Sequence, residues 1–450
     1  MLFLYFTLSL LLIFPQLFIQ YPSLINDGYD FVIAQKVSYF EIFKDHLLNS
    51  SRFRPFNFMY RKLLYSLFGM NIQYHFLFQA LIFFGICYFS YLLLIKLGIN
   101  KSKSILIGLL IAVLPSTIDN FYQLGTIEHV QALILIISLY SISLNKKYFA
   151  LFALTINFFF KETSIFFLLV PVIYGYINKD RKCFFYSFIL LFLGSSLLVY
   201  KMLFVPDFYT SMFALNFKNI LFTIRHFPFS FIILLFSTIY LFLKTNKLDK
   251  NYILLYIALW LSVIMFFFWK AVGPYYHFPS EAISSLLFIY LIKDLTYIKY
   301  YILSILIIFI FSLKGTKTLY WDRMDYLEDS VFVEYILSQE YNNYHIYSAV
   351  NNYEKNLSIF NYLIDINRNK ASFLPDTEEW SSVDYLDSEY FSNKVFEVQK
   401  AFFNDNYNKK MLITDDADLM FNEGEFIKKY FCFNNLFNHG CSNIVIILRK

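Results

Sequence analysis

The sequence has few charged residues. Asp, Glu, Lys and Arg make up 16% of its 450 residues, whereas soluble domains carry about 25%. Hydrophobic residues make up 58%, and they form runs of about 16–25 residues, long enough to cross a bilayer as helices. A soluble core helix of that length has a polar stripe, and runs such as YILSILIIFIFSL have none. This pattern excludes an ordinary soluble domain.

Several other features are scarce. The four cysteines form no C-x-x-C motif and no cluster with histidine, which excludes a typical zinc site. The first apolar run, MLFLYFTLSLLLIF, lacks a basic start and a small-residue cleavage site, so we expect a retained span. The formal net charge is only +5, and the basic residues flank apolar runs. Such a distribution indicates membrane topology and argues against nucleic acid as a partner.

The apolar runs predict an α-helical polytopic membrane protein with about eleven transmembrane helices. Every second connection between them is short and basic, so these connections are expected to face the cytoplasm. That parity places the N-terminus inside, and it places the connection 21–71 and the tail 315–450 outside. The approximate limits are 1–20, 72–95, 104–118, 127–144, 148–160, 164–178, 183–205, 228–243, 251–269, 279–293 and 300–314.

The tail 315–450 differs in composition from the rest of the chain. It is rich in Asp, Glu, Asn, Lys and Tyr. HIYSAV, KKMLITD and SNIVIILRK have the pattern of short strands, and EDSVFVEYILSQEY and SEYFSNKVFEVQKAFF that of amphipathic helices. Alternating strands and helices predict a C-terminal extracytoplasmic α/β domain. The predicted domains are therefore a transmembrane module at 1–314 and this domain at 315–450. Cys432 and Cys441 lie close together in it, and an oxidising compartment would permit a disulfide between them.

The first outside connection begins INDGYDF, which places Asp27 and Asp30 just after the first span. Carboxylates at a membrane rim are well placed to act as a general base on an incoming hydroxyl. Gly28 favours a local turn that lets both acids point into one site. An ordinary solvated loop has the same residues, and their spacing alone does not separate the two interpretations.

Cations follow in the same connection. Arg52, Arg54, Arg61 and Lys62 alternate with aromatic residues, and the stretch from Pro55 to Phe68 has the pattern of an amphipathic helix in the interface plane. Arg52 and Arg54 precede this helix and can bind a phosphate. The alternative is that all four cations meet anionic lipid headgroups without specificity.

More polar residues lie on the same predicted side. The third-to-fourth connection offers Asp119, Glu128 and His129, and the ninth-to-tenth offers Lys270, His277 and Glu281. Lys161 and Glu162 interrupt an apolar run and are costly at membrane depth without partners. They satisfy that need if they pair with each other or snorkel, and His277 alone also fits a structural histidine. A transporter would bury its charges near mid-membrane and carry internal repeats. The sequence has almost no charged residues deep in a predicted span and no internal repeat.

Three motifs resemble the GT-C superfamily of integral-membrane glycosyltransferases, and within it the protein O-mannosyltransferase-like branch. An acidic motif follows the first span at Asp27 and Asp30, although relatives often have two adjacent acids where this chain has Asn26 and Asp27. Lys161 and Glu162 match a Lys-Glu motif before a later span. The third motif comprises Arg54-Pro55-Phe56, then YSLFGMN from Tyr65 to Asn71, then Tyr74 and His75.

The resemblance implies an inverting glycosyltransferase with a polyprenyl-phosphate-linked sugar donor, acting at the outer face of a bacterial plasma membrane. The acceptor would be a hydroxyl on an envelope glycan, lipid or protein. Asp27 or Asp30 would be the base, and the donor phosphate would be bound by Arg52, Arg54, Lys161 and His277. Asp119, Glu128, His129 and Glu162 would complete the rim of the site. The resemblance does not decide whether a divalent metal is required. A lipid-linked glycan polymerase or ligase and a transporter or flippase of envelope precursors are the alternatives.

Overall fold

The structure is a computed structural model of the whole chain. The described residues are 1–18, 38–48, 53–69, 71–204, 224, 228–243, 250–264, 274–294, 298–323, 343–346, 371–373, 410–414, 426–435 and 438–449.

Helices occupy most of the described residues before position 324. Short 3₁₀ segments lie at Phe14–Phe18, Glu162–Leu168 and Pro274–His277. The α-helices are α1 (Leu2–Ile13), α2 (Tyr39–Leu48), α3 (Pro55–Phe68), α4 (Ile72–Lys96), α5 (Lys101–Ser104), α6 (Ile107–Ala112), α7 (Pro115–Phe121), α8 (Glu128–Ser143), α9 (Lys147–Phe160), α10 (Leu169–Ile177), α11 (Arg181–Phe204), α12 (Pro228–Leu243), α13 (Lys250–Ile264), α14 (Phe278–Leu291) and α15 (Ile298–Arg323).

Two described helices are long and apolar enough to cross a membrane, Ile72–Lys96 and Arg181–Lys201. The pair Lys101–Ala112 and Pro115–Phe121 counts as a third span if it is one bent segment, with a 68° bend at the break. Proline explains this break, because Pro115 has no backbone N–H to continue α6 and suits the first turn of α7. Seven further apolar helical stretches among the described residues have 10–17 residues, including Tyr301–Ile310 within α15. The helical polytopic architecture is confirmed, and the count of eleven spans stays a prediction.

Side-chain packing joins these helices into one apolar core. Among its largest fully buried side chains are Tyr5, Phe83, Tyr252 and Phe278. Small residues allow close approach, since a Cβ added at Gly108 of α6 would lie 2.7 Å from the ring of Tyr5 in α1. Other large apolar side chains point outward, as expected where the surrounding solvent is lipid. They include Phe152, Phe185, Phe192 and Leu203.

The connections also fall into two groups by their contacts. Lys103 donates to the carbonyl of Lys293 at 2.7 Å, and Lys147 forms an ion pair with Asp180. Both contacts join connections that the basic pattern assigns to the cytoplasmic side. The first, third-to-fourth, fifth-to-sixth and ninth-to-tenth connections, which the same pattern assigns to the outside, contact one another instead. This grouping is what alternating spans produce.

Orientation in the membrane can be tested with introduced cysteines. Cys87 and Cys183 are buried, so a background with Cys432→Ser and Cys441→Ser should react little. We expect Ser102→Cys, at an exposed position in a basic connection, to resist an impermeant maleimide in intact cells. We expect Ser381→Cys, outside the described residues, to react. The reverse pattern would place the acidic connections in the cytoplasm.

The chain divides into two compact units. The first comprises 1–18, 37–64 and 73–323, and the second 19–36, 65–72 and 324–450. Helix α15 runs to Arg323, nine residues past the predicted boundary at 314. The predicted division into a transmembrane module and an α/β domain stays a prediction, and the two helices predicted in the tail lie outside the described residues.

Beyond the end of α15, the described residues of the tail form a five-stranded mixed sheet in the order β2-β1-β3-β5-β4. Strand β1 runs parallel to β2 and β3, and β5 runs antiparallel to β3 and β4. Strand β3 lies within the predicted segment KKMLITD, and β5 covers most of the predicted SNIVIILRK. Strand β1 shares only His345 and Ile346 with the predicted HIYSAV, whose other residues lie outside the described ones. The strands are β1 (Asn343–Ile346), β2 (Ala371–Phe373), β3 (Lys410–Thr414), β4 (Phe426–Asn435) and β5 (Asn438–Arg449).

The register of β4 and β5 sharpens the disulfide prediction. Cys432 lies opposite Cys441, and directly opposed antiparallel residues have Cα atoms about 4.5–5.5 Å apart, a separation that disulfides span. We expect protein purified without reductant to yield one cross-linked peptide by mass spectrometry. Cys432→Ser should make Cys441 alkylatable. Two freely alkylatable thiols in the unreduced wild-type protein would contradict the pairing.

Candidate functional site

Polar side chains from four connections meet in the first unit. The residues concerned come from the first connection, from the third-to-fourth, from the fifth-to-sixth and from the ninth-to-tenth. Each of these connections makes at least one side-chain contact with another of the four. The predicted convergence of these connections is therefore present in the fold.

Lys161 lies at the centre of this arrangement. Helix α9 ends at Phe160, and Lys161 has an extended backbone before the 3₁₀ segment begins. Its N–H still donates to the carbonyl of Asn157 at 3.1 Å, and its own carbonyl accepts from Ser164 at 2.9 Å. Because the backbone is satisfied on both sides, the turn holds the side chain in a fixed direction. The lysine is 4% exposed, so its ammonium group needs partners within the protein.

Glu128 and Tyr276 are those partners. The Lys161 ammonium forms an ion pair with Glu128, which is 2% exposed and is the first residue of α8. The second carboxylate oxygen of Glu128 accepts from the N–H of Ile127 at 3.0 Å. The same ammonium lies 3.7 Å from the ring centroid of Tyr276, a cation–π contact. The sequence alternative that Lys161 pairs with Glu162 is not what the structure shows.

The ninth-to-tenth connection packs against the third-to-fourth. The rings of Tyr275 and Tyr276 stack with centroids 4.5 Å apart, and the Tyr275 carbonyl accepts from the Asn120 amide at 2.9 Å. Glu281, in the first turn of α14, accepts from the N–H of Ser116 at 3.3 Å and from its hydroxyl. These contacts fix Tyr276 over Lys161.

His277 follows this tyrosine pair and is 1% exposed. Burial lowers its pKa to about 3, because the charged imidazolium is poorly solvated there. The ring is neutral at physiological pH. If His277 contacts a donor phosphate, it does so as a hydrogen-bond donor and not as a cation.

The first connection reaches the same place through α3. Arg61 is 2% exposed, and it donates to the Asn57 side chain at 2.9 Å and to the Gly125 carbonyl. The alternative that all four cations meet lipid headgroups does not hold for Arg61, because its guanidinium binds protein groups. Arg54 is half-buried at the start of α3, with its guanidinium carbon 5.7 Å from the ring centroid of Phe58.

The remaining predicted site residues are placed differently. Asp119 is buried and accepts from the Gln123 amide at 2.7 Å. His129 is buried beside the ring of Phe121, and no described residue forms a hydrogen bond with either of its ring nitrogens. Glu162 is buried in the 3₁₀ segment. Asp27, Asp30 and Arg52 lie outside the described residues.

Two residues that make contacts between these connections, Tyr276 and Asn120, were not among the site residues that the sequence predicted. The sequence does contain a Tyr-Tyr pair after Gly-Pro. Aromatic residues are so frequent in this chain, however, that such a pair does not by itself indicate a site. As for metals, the described residues contain no group of three His, Cys, Asp or Glu side chains that could hold an ion.

The fold of this chain is similar to the folds of several solved structures. The structure of ArnT from Cupriavidus metallidurans bound to undecaprenyl phosphate is similar over 99% of this chain and 97% of that one, with a TM-score of 0.53 and 12% identity. The structure of the same ArnT in the apo state has a TM-score of 0.52 over 91% of this chain and 92% of that one, also at 12% identity.

An oligosaccharyltransferase from Archaeoglobus fulgidus in the apo form gives a TM-score of 0.50 at 13% identity, over 98% of this chain and 74% of that one. At such identities the likeness establishes the fold. It confirms the GT-C fold that the sequence motifs indicated, and the O-mannosyltransferase-like branch stays a prediction. No protein-family model and no curated protein sequence matches the chain.

Proposed function

We propose that this protein is a membrane glycosyltransferase that moves a sugar from a polyprenyl-phosphate-linked donor to an acceptor hydroxyl. The acceptor lies on an envelope glycan, lipid or protein at the outer face of a bacterial plasma membrane. The observation that carries the proposal is the buried Lys161, held by Glu128 and Tyr276 where four connections meet. It lies in a fold shared with an ArnT structure that holds undecaprenyl phosphate.

The reaction is a single displacement with inversion. The acceptor oxygen forms a bond to the anomeric carbon as the bond from that carbon to the phosphate oxygen breaks. The hydroxyl proton passes to a carboxylate, for which Asp27 and Asp30 are the candidates. The leaving polyprenyl phosphate gains negative charge, and Arg52, Arg54 and Lys161 are the cations proposed to stabilise it.

Lys161 changes partners in this proposal. Without donor, Glu128 neutralises it, which avoids an unpaired buried charge. A donor phosphate then competes with that carboxylate for the ammonium, while Tyr276 keeps the ammonium in place from its other side. His277 adds a neutral hydrogen-bond donor, and Asp119, His129 and Glu162 complete the rim. Such a site stabilises the transition state more than the bound donor if the negative charge on the phosphate is largest in the transition state.

The likeness to an oligosaccharyltransferase keeps a polymerase or ligase as the second candidate. Mass spectrometry of envelope glycans from a deletion strain separates the candidates. Loss of a single sugar from otherwise intact acceptors, restored by the wild-type gene and not by an Asp27→Asn gene, supports the proposal. Loss of whole glycans together with a build-up of lipid-linked glycan indicates the second candidate. Unchanged envelope glycans would refute both.

A further inference from the structure

A cavity of about 660 Å³ lies between the end of α10 and the start of α11, a size within the range of ligand sites. It belongs to a different connection from the candidate site. Three basic side chains line it, from Lys179, Arg181 and Lys182. Among the residues that the structure describes, none of these three cations forms an ion pair. The remaining lining residues are Gly175, Tyr176, Phe184, Phe185 and Tyr186.

The acidic residue of this turn is directed elsewhere. Asp180 lies between the cations in sequence, but it pairs with Lys147 and accepts from the N–H of Cys183 at 3.2 Å. The hydrogen bond from Lys147 lowers the pKa of Asp180, so the carboxylate stays ionised and engaged. The cavity therefore has uncompensated positive charge, although its connection contains an acid.

The backbone of the turn shows that a lysine stands where glycine is preferred. The N–H of Asp180 donates to the Gly175 carbonyl at 2.8 Å, and the N–H of Lys179 to the Tyr176 carbonyl at 3.1 Å. This pattern is a Schellman motif, which commonly places glycine at its left-handed position. Lys179 has that position, with φ of 55°. A lysine therefore has a left-handed backbone conformation that favours glycine.

The aromatic side of the cavity is exposed on the protein surface. Tyr176 is 74% exposed and Phe185 59%. Helix α11 is a candidate membrane span, and only 17% of its most apolar stretch is buried inside the protein. Gly175 holds the two helices together at this point, since a Cβ there would lie 2.7 Å from the backbone nitrogen of Phe184. Cations at the end of a lipid-facing helix, next to exposed rings, match an amphiphile and not a free anion.

We propose that this cavity binds an anionic phospholipid from the adjacent leaflet, with its phosphate on Lys179, Arg181 and Lys182 and its glycerol and first acyl carbons against the aromatic rings. A dissolved phosphate would gain nothing from those rings. Basic pockets between membrane helices recognise acidic headgroups by this combination of charge and apolar contact. The site does not depend on the glycosyltransferase proposal.

The test is native mass spectrometry of the full-length protein in detergent. The probe is 1-palmitoyl-2-oleoyl-phosphatidylglycerol, compared with phosphatidylcholine of the same chains. A basic residue near a membrane surface contributes roughly fivefold in affinity for acidic lipid. We therefore expect Lys179→Gly/Arg181→Gln/Lys182→Gln to weaken phosphatidylglycerol retention by at least about tenfold. Phosphatidylcholine retention should not change.

The matched control is Lys96→Gln/Lys101→Gln/Lys146→Gln, which removes three exposed cations from other basic connections. Because none of these three cations lines the cavity, the variant should retain phosphatidylglycerol within about twofold of wild type. Lys179→Gly alone covers the case in which the triple variant fails to fold. It should lose roughly fivefold in retention without a lower unfolding temperature, because glycine suits the left-handed position. Equal retention by wild type and the Lys179 variants overturns the proposal, and so does displacement of the lipid by glycerol phosphate or inorganic phosphate.

Discussion

Asp27→Asn will abolish sugar transfer while the protein remains folded and inserted in the membrane. The change removes a charge and keeps the volume, so a surface acid tolerates it within about 0.5 kcal/mol of stability. A general base does not, because such groups contribute roughly 10²–10⁴-fold in rate. The measurement is transfer activity in membranes that contain equal amounts of wild type and variant.

Asp30→Asn decides which acid is the base, since the Asn-Asp order at positions 26 and 27 departs from the acidic pair common in GT-C relatives. Asp294→Asn, at an exposed position in a basic connection, is a matched control and should keep full activity. Full activity in both Asp27→Asn and Asp30→Asn would move the search for a base to Asp119 and Glu128.

Arg54→Ala should instead raise the donor concentration needed for half-maximal rate, because a phosphate contact is lost.

Local patterns predicted the elements that depend on local interactions. The helix Pro55–Phe68 has the bounds expected from a proline start and an amphipathic repeat. In the tail, the strand Lys410–Thr414 lies within the short apolar segment KKMLITD that the sequence predicted. The break at Lys161 was expected as well, because a Lys-Glu pair interrupts an apolar run there.

The pairing of side chains was not predictable in the same way. Arg61 lies on a helix face that local periodicity identifies, but its acceptor, Gly125, is 64 residues away. Lys161 appeared able to pair with adjacent Glu162, whereas its partner is Glu128, 33 residues earlier. The extended backbone at Lys161, between α9 and the 3₁₀ segment, directs its side chain toward Glu128. Alternation of basic connections predicted that these residues share one side of the membrane, and only the packing of α8 against α9 shows which of them touch.

The Lys161–Glu128 pair allows stability and catalysis to be separated. Lys161→Met leaves Glu128 buried without its cation, and breaking a buried pair in this way costs about 3–5 kcal/mol. We expect a clear drop in unfolding temperature in detergent. Transfer should fall by roughly 10²–10³-fold if the ammonium stabilises the leaving phosphate.

The double variant Lys161→Met/Glu128→Gln removes both charges, and the glutamine oxygen can still accept from Ile127. Replacing both members of a buried pair is often close to neutral for stability, so the unfolding temperature should return most of the way to wild type. Transfer should not return, because no ammonium remains for the phosphate. As a matched control, Lys147→Met breaks the half-exposed pair with Asp180. It should cost no more than about 1 kcal/mol and leave transfer unchanged.

Activity and stability that recover together in the double variant would make Lys161 a structural residue. The donor phosphate would then rest on the arginines of the first connection alone. Stability that recovers without activity would assign Lys161 to the donor phosphate. Glu128 would in that case be the residue that keeps the lysine charged and in place between turnovers. The two results differ in the double variant only, since both interpretations predict that Lys161→Met is unstable and inactive.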